Sequence, residues 1–224
     1  MTYLELINKV LRGLREKQVT SFSSEYVNLI GQLVNEAKEE VEDAWPWKAL
    51  RTDVTFNTVS GTQDYNLGTG GVGTGGTTTE RSKLVMDSAQ RPMLFVTTSG
   101  YETRCIEMPR EQHKEWIIDN ELSNTNPVYF SQVRSATGIT ISLYPKPNGV
   151  YAMRGTFYIP QAELSTLTTS ITCPSKPVWL RALALALEER NAGSAGSTDY
   201  RAQQALWNAI TSEAEDGELT LYEA

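Results

Sequence analysis

The chain has 224 residues, a formal net charge of −7 and a sequence pI of about 4.9, a balance that argues against binding nucleic acid by neutralising phosphates. Cys105 and Cys173 lie far apart, which predicts two reduced thiols in an intracellular protein rather than a disulfide framework or a zinc site. No apolar run approaches the ~20 residues that cross a bilayer, and the first residues lack a signal-peptide pattern, so we expect a soluble cytoplasmic product.

Two helices are predicted at the start of the chain. Residues 2–14 form a short amphipathic helix, with a capping box made by Thr2 and Glu5. Ser23 or Ser24 caps a long second helix that runs to about residue 44, where Pro46 ends it. Its apolar positions recur at steps of three and four, as in helix bundles: Val27, Ile30, Val34, Ala37 and Val41.

The end of this long helix is rich in acidic side chains. They oppose the helix dipole, which favours cations at a C-terminus. One interpretation is a solvated face, and the other is a surface turned toward a basic partner or a DNA channel. The candidates for such a surface are Glu36, Glu39, Glu40 and Asp43.

From residue 50 the hydrophobic period changes to two, which predicts strands. Val54 and Phe56 alternate with polar residues in the first strand, and short strands follow at 83–87 and 92–98. Strands at 128–130, 139–144 and 150–159 are expected to form an antiparallel meander, with a turn at 145–149.

A low-complexity Gly/Thr run occupies residues 68–79. It lacks the Lys-Ser/Thr ending of a phosphate-binding P-loop, and no helix is expected to follow it. Its composition is typical of a loop that is mobile or is ordered by a partner. The candidate interface residues within it are Gly70, Gly71, Val72 and Gly73.

A helix is predicted at 109–122, with Trp116, Ile117 and Ile118 turned inward. His113, the one histidine of the chain, is expected at the surface, because a metal site needs three or four convergent ligands. No G-x-S-x-G, H-E-x-x-H or C-x-x-C motif is present. We therefore predict no catalytic residue, no cofactor and no metal, and we expect a protein that is not an enzyme, with a hydrolase using scattered acids as the open alternative.

Residues 174–215 are predicted to form a helical hairpin. Its first helix is apolar nearly all round, so it should be buried on most sides. Pro177 suits the start of that helix, and Asn191 and Gly193 suit its end. Thr198 or Asp199 is the expected cap of the second helix.

The last eight residues, 217–224, are predicted to leave the helix. Apolar residues alternate there, as in a segment that adds to a partner's groove or sheet edge, although a frayed terminus is the alternative. The candidate contact residues are Glu218, Leu219, Leu221 and Tyr222.

These elements predict an α+β fold in which a helical bundle from both chain ends carries an inserted antiparallel β domain with a short helix. The expected divisions are the N-terminal helices at 1–48, the β domain at 49–173, the helical hairpin at 174–216 and the tail at 217–224.

Four motifs, in this order, suggest a family. They are WPWK at 45–48, NPVYF at 126–130, YPKPNG at 144–149 and a Tyr-x-x-x-x-Ala segment at 200–205 of the alanine-rich hairpin. This order resembles the head-to-tail adaptor proteins of short-tailed bacteriophages, also called gatekeeper or tail-tubular-A-type proteins.

The resemblance implies a structural protein that forms a twelve-fold ring in the neck of the virion, with the portal protein and the tail nozzle protein as partners. DNA would pass through the ring without sequence-specific binding, no membrane would be involved, and the protein would be made in the host cytoplasm. The tail residues would then contact the portal, the glycine-run residues a neighbouring subunit or the nozzle, and the acidic residues the channel. The alternative is another tail-completion or baseplate protein of the virion.

Overall fold

A computed structural model describes residues 1–22, 24–87, 89–98, 100–119 and 125–222, with the side chains of these residues except those of 117–119 and 215–222. The chain divides into two compact units. The helical unit comprises Met1–Ala49 and Gln161–Ala224, and the sheet unit comprises Leu50–Pro160. The predicted α+β class is confirmed.

The described part of the helical unit consists of four helices. They are α1 (Tyr3–Gly13), α2 (Glu25–Ala44), α4 (Ser175–Glu189) and α5 (Ala195–Tyr222). The two predicted N-terminal caps are confirmed. Thr2 and Glu5 form the capping box, with the Thr2 amide donating to the Glu5 carboxylate over 2.9 Å, and the Ser24 hydroxyl accepts from the amide of Val27. Ser23, the other candidate cap, lies outside the described residues.

Helix α4 packs against α1, α2 and α5, which explains why its sequence is apolar nearly all round. Val178, Ala182 and Ala184 are fully buried. On the side of α5, Leu180 packs against Ala202 and Ala205. The prediction that this helix is buried on most sides is confirmed.

The hairpin ends differ from the prediction. Helix α5 begins at Ala195, before the expected cap, so the hydroxyl of Thr198 donates within the helix to the carbonyl of Ser194 over 3.1 Å. Asn191, with φ of 52°, supplies the left-handed residue after α4, rather than Gly193. Asparagine tolerates this conformation, so composition alone left both positions open.

The predicted extended tail is wrong for residues 217–222, because α5 continues as a helix to Tyr222. Gly217 is a weak helix former, at a cost of about 1 kcal/mol relative to alanine, but a single glycine does not end a helix. Residues 223 and 224 lie outside the described residues.

Within its described residues the sheet unit has nine strands and one helix. They are β1 (Arg51–Asn57), β2 (Asp64–Asn66), β3 (Lys83–Leu84), β4 (Leu94–Thr98), β5 (Tyr101–Arg104), β6 (Ile106–Glu107), α3 (Arg110–Asp119), β7 (Tyr129–Ser135), β8 (Gly138–Tyr144) and β9 (Ala152–Tyr158). A short 3-10 turn at Lys48–Leu50 precedes them. The predicted end of the helix, at Leu122, lies outside the described residues.

The strands form two sheets rather than one meander. One has the order β1-β9-β4-β5, with β3 also paired with β9, and the other has the order β2-β8-β7-β6. Strands β8 and β9 follow one another in sequence yet belong to different sheets, and β6 pairs with β7 in parallel. The expected wholly antiparallel meander is therefore wrong, because alternation shows that a strand has one buried face but not which strand it pairs with.

The apolar faces of the two sheets share one core. Val54, Leu94 and Phe157 come from the first sheet, and Phe130 and Ile141 come from the second. All five are buried, so each sheet keeps one face in the core and presents the other outward.

Candidate interaction surfaces

The acidic candidates of α2 form one exposed row. Glu36, Glu39, Glu40 and Asp43 lie at positions i, i+3, i+4 and i+7, so they share a helix face, and all four are exposed. Glu40 is held by Arg181 of α4, whose guanidinium donates to both carboxylate oxygens over 2.6 and 3.1 Å. The row therefore lies at the surface, and Arg181 compensates the charge of Glu40 within the chain.

Arg181 joins three helices. Besides Glu40 of α2, its guanidinium donates to Asp199 of α5 over 2.8 Å. The hydrogen bond to Glu40 and the attraction of both carboxylates raise the pKa of Arg181 above its ordinary value. Asp199, one of the expected helix caps, thus serves as an ion-pair partner.

A fifth acidic residue of α2, Glu42, is buried in an ion pair with Lys38. Lys38 is 2% exposed, and its ammonium group lies 3.1 Å from a carboxylate oxygen of Glu42. The same ammonium donates to the carbonyl of Gln161 over 2.7 Å, and the amide of Gln161 donates to Glu42 over 3.3 Å. The pair anchors the segment that enters the C-terminal half of the helical unit.

The net charge is confined to one unit. The helical unit contains 17 acidic and 10 basic residues, whereas the sheet unit contains 10 of each. The whole formal charge of −7 therefore belongs to the helical unit.

The glycine run is held by the strands of its own unit. Thr74 exchanges two backbone hydrogen bonds of 2.8 Å with Thr55 of β1, and the amide of Val72 donates to the carbonyl of Asn66 over 2.9 Å. A Cβ at Gly68 would lie 1.7 Å from a carbonyl oxygen of the neighbouring turn. The expectation of a loop that is mobile or is ordered by a partner is therefore corrected, because these glycines permit close backbone contacts within the unit.

The run does contain the G-x-G-x-x-G spacing of a dinucleotide-binding fingerprint, at Gly68, Gly70 and Gly73. A bridge to β1 and then strand β3 follow it, whereas the fingerprint requires a helix whose N-terminus receives the pyrophosphate. The spacing is therefore no evidence of a nucleotide site.

Val72 lines a shallow hollow on the outward face of the first sheet. The hollow crosses β1, β9, β4 and β5, where register aligns Asn57, Ala152, Thr97 and Glu102 in one row. Ala152 is the smallest residue of that row. Arg154 and Glu102 form an ion pair of 2.8 Å within the hollow.

His113 is buried, so its expected surface position is wrong. It is 2% exposed, its Nδ1 lies 2.7 Å from the hydroxyl of Ser131, and its ring packs edge-on against Tyr144. Burial lowers the pKa of His113. Helix α3 has few apolar residues, so its sequence gave little indication of which face packs on β7.

The pairing of His113 with Ser131 is closed to a substrate, because Ser131 is 1% exposed. No group of three or more His, Cys, Asp or Glu residues suited to a metal ion occurs in the part of the chain that the structure describes.

The model of the SU10 adaptor protein family matches residues 1–220. The chain belongs to the SU10 adaptor family. The resemblance to head-to-tail adaptors is thereby confirmed, and the protein is a phage adaptor, a structural class of virion protein. No curated protein matches the chain.

Two further candidate surfaces of this adaptor lie on α5. The portal candidates Glu218, Leu219, Leu221 and Tyr222 lie on the last turns of α5, and their side chains lie outside the described residues.

No helix within the described ranges has both the length and the apolar character of a membrane-spanning segment.

The second surface was not predicted. Tyr200 and Trp207 of α5 are 68% and 67% exposed, and they are the two large hydrophobic residues exposed in the described part of the helical unit. Helical periodicity could have separated Trp207 from the buried Ala202 and Ala205, since it lies on the opposite side of the helix.

Proposed function

We propose that this adaptor forms a ring, expected to be twelve-fold, that joins the portal to the tail nozzle and lines the DNA channel. Its membership of a phage adaptor family supports this role. The observation that carries the proposal is the confinement of the net charge to the helical unit, with an exposed acidic row on α2.

In the proposed ring, Glu36, Glu39, Glu40 and Asp43 face the channel. Carboxylates repel the DNA phosphates, whereas binding would require basic residues that displace counterions. Because a copy of the row is contributed by each subunit, the channel wall would be acidic all round, and DNA would move past it without being held.

The portal contact is assigned to the end of α5. Helix α5 has 28 residues and α4 has 15, so α5 is longer by about 20 Å. The extra turns carry Leu219 and Tyr222, which share a face at the i and i+3 positions, with Leu221 and Glu218 beside them. Such a helix end suits insertion in an apolar groove of the portal.

We assign the contact with the nozzle or with the neighbouring subunit to the tip formed by Gly70, Gly71, Val72 and Gly73. Val72 is 52% exposed and lines the hollow, while Thr74 of the same run is hydrogen-bonded to Thr55 of β1. A tip whose backbone is already ordered binds at a smaller entropic cost than a mobile loop.

A cryo-EM reconstruction of virions tests the role directly. We expect a ring of this adaptor at the neck, in contact with both portal and nozzle, with α2 turned toward the channel. Density in the baseplate or at the tail tip would instead establish a tail-completion or baseplate protein. Absence from the neck would refute the proposal.

Truncation tests the portal contact separately. Deleting residues 218–224 should weaken docking to purified portal while leaving the unfolding of the helical unit unchanged, because the deleted turns extend beyond the length of α4. Val72→Ala, which shortens an exposed side chain of the tip, serves as the control and should retain portal docking. Unchanged docking after truncation would exclude the α5 end as the contact.

A further inference from the structure

The outer face of α5 is uncharged over about three turns. Tyr200, Gln204, Trp207 and Thr211 follow one another at steps of four, three and four, and all are exposed. They point away from the stripe that packs on α4. In a unit that carries the entire net charge of −7, such a face is unusual.

The two aromatic rings on this face are without a ring or cation partner among the described residues. Elsewhere in the chain aromatic rings are covered by cations, with Lys9 5.5 Å from the Trp179 ring and Arg190 5.1 Å from that of Tyr26. Trp and Tyr are the residues that most often anchor protein interfaces, where charged residues are depleted at the centre.

A matching cationic surface follows α1. Arg15 and Lys17 are exposed, and neither has a carboxylate partner among the described residues. Glu16, which lies between them, is already paired with Arg190 over 2.8 Å. These two cations are therefore available in an otherwise acidic unit.

The turn that carries the two cations is held by hydrogen bonds. The amide of Glu16 donates to the carbonyl of Leu11 over 2.8 Å, which closes α1, and Asn8 makes two hydrogen bonds, of 2.8 and 2.9 Å, with the backbone of Val19. The cations are thus presented on a preorganised turn, which lowers the entropic cost of a contact.

We propose that Tyr200 and Trp207 of one copy contact the Arg15–Lys17 turn of the next copy. The inference rests on the proposed ring and names its subunit contact. Each copy carries both surfaces, on different helices, so the contact is head-to-tail, the kind that closes into a ring. Cation–π attraction between the two cations and the two aromatic rings supplies the complementarity. After Arg201, α5 contains acidic residues and no basic residue, which also favours a cationic partner.

Photo-crosslinking in virions tests the contact. With p-benzoylphenylalanine in place of Trp207, we expect a crosslink to residues 9–19 of a second copy. The same group in place of Tyr101, which is 79% exposed in the sheet unit, should give no crosslink to that segment. A crosslink from position 207 to portal, to nozzle, to another segment of a copy, or to nothing would overturn the contact.

Charge reversal tests whether the two cations contribute to the contact. Arg15→Glu with Lys17→Glu should reduce the crosslink yield per incorporated copy at least about 10-fold. A loss of that size is typical when residues that contribute to the affinity of an interface are replaced. Lys146→Glu, an exposed lysine of the sheet unit, should leave the yield unchanged. An unaltered yield in the double variant would overturn the role of the turn.

The two proposals fail in different ways. A neck ring seen by reconstruction without the crosslink refutes only the subunit contact. Virions whose neck lacks the chain refute the proposed ring function whatever position 207 contacts.

Discussion

The buried pair of Lys38 and Glu42 predicts a large and specific loss of stability. Lys38→Met would leave the carboxylate of Glu42 in a site where both side chains are at most 2% exposed, and would remove the hydrogen bond to the carbonyl of Gln161. Breaking a buried pair by removing one partner costs about 3–5 kcal/mol, because the remaining charge stays buried without the opposite charge of that partner. We expect a decrease of that size in the free energy of unfolding of the helical unit.

Urea denaturation followed by far-UV circular dichroism measures the effect, since the helical unit contributes four of the five helices that the structure describes. Glu16→Gln is the matched control. It removes an ion pair with Arg190 whose side chains are 45% and 37% exposed, so it should cost less than about 1 kcal/mol.

The double variant Lys38→Met/Glu42→Leu separates charge burial from packing. It should be less destabilised than Lys38→Met alone, because no charge remains in the apolar site. Part of the cost should persist, since the backbone amide and carbonyl of Gln161 lose their partners. If Lys38→Met costs no more than Glu16→Gln, or if the double variant is the less stable one, the reasoning is refuted.

Three further outcomes are expected. Gly68→Ala should lower the midpoint of unfolding of the sheet unit, because a Cβ there would overlap a backbone carbonyl, whereas Gly149→Ala, with open space around it, should not. Because burial lowers the pKa of His113, the unfolded chain binds its proton more readily; the stability of the sheet unit should be full above about pH 6.5 and should decline as the pH falls below it. His113→Gln should remove that decline, and a wild-type slope that persists in the variant would assign it elsewhere. Burial raises the pKa of Cys105 and of Cys173 to about 12, so both thiols should resist a thiol reagent at pH 8 until urea unfolds the chain; rapid labelling of the folded protein would contradict this.

Elements that depend on near neighbours in the chain could be predicted from the residues. The capping box of Thr2 and Glu5, the Ser24 cap, and the apolar stripe of α2 all rest on spacings of three and four residues. The alternation in β1 and β8 predicted both strands for the same reason.

Besides the local errors at the two ends of α5, the errors concern residues whose environment is set by distant parts of the chain. His113 is buried because α3 packs on β7, and its ring finds Ser131 eighteen residues away. The glycine run was predicted to be a mobile or partner-ordered loop, because composition does not distinguish a flexible glycine from one that permits a close backbone contact. Only the structure, in which Gly68 lies against a neighbouring turn, separates the two.

The candidate surfaces divide in the same way. Spacing along α2 predicted that Glu36, Glu39, Glu40 and Asp43 share a face, and the structure added that Arg181 compensates Glu40 from 141 residues away. The exposed face of Tyr200 and Trp207 was missed, although helical periodicity places both residues opposite the apolar stripe of α5, and the structure adds that this stripe packs on Leu180 of α4.

The sequence by itself determined the local elements, the excess of acidic residues and the order of motifs that led to the adaptor family, since these follow from residue identity and short spacings. The tertiary structure alone decided which charges are paired, which sheet each strand joins and which aromatic rings stay at the surface. Those outcomes depend on contacts between residues tens to hundreds of positions apart. Hydrophobic periodicity predicts which face of an element is buried, but it does not predict which other element covers that face.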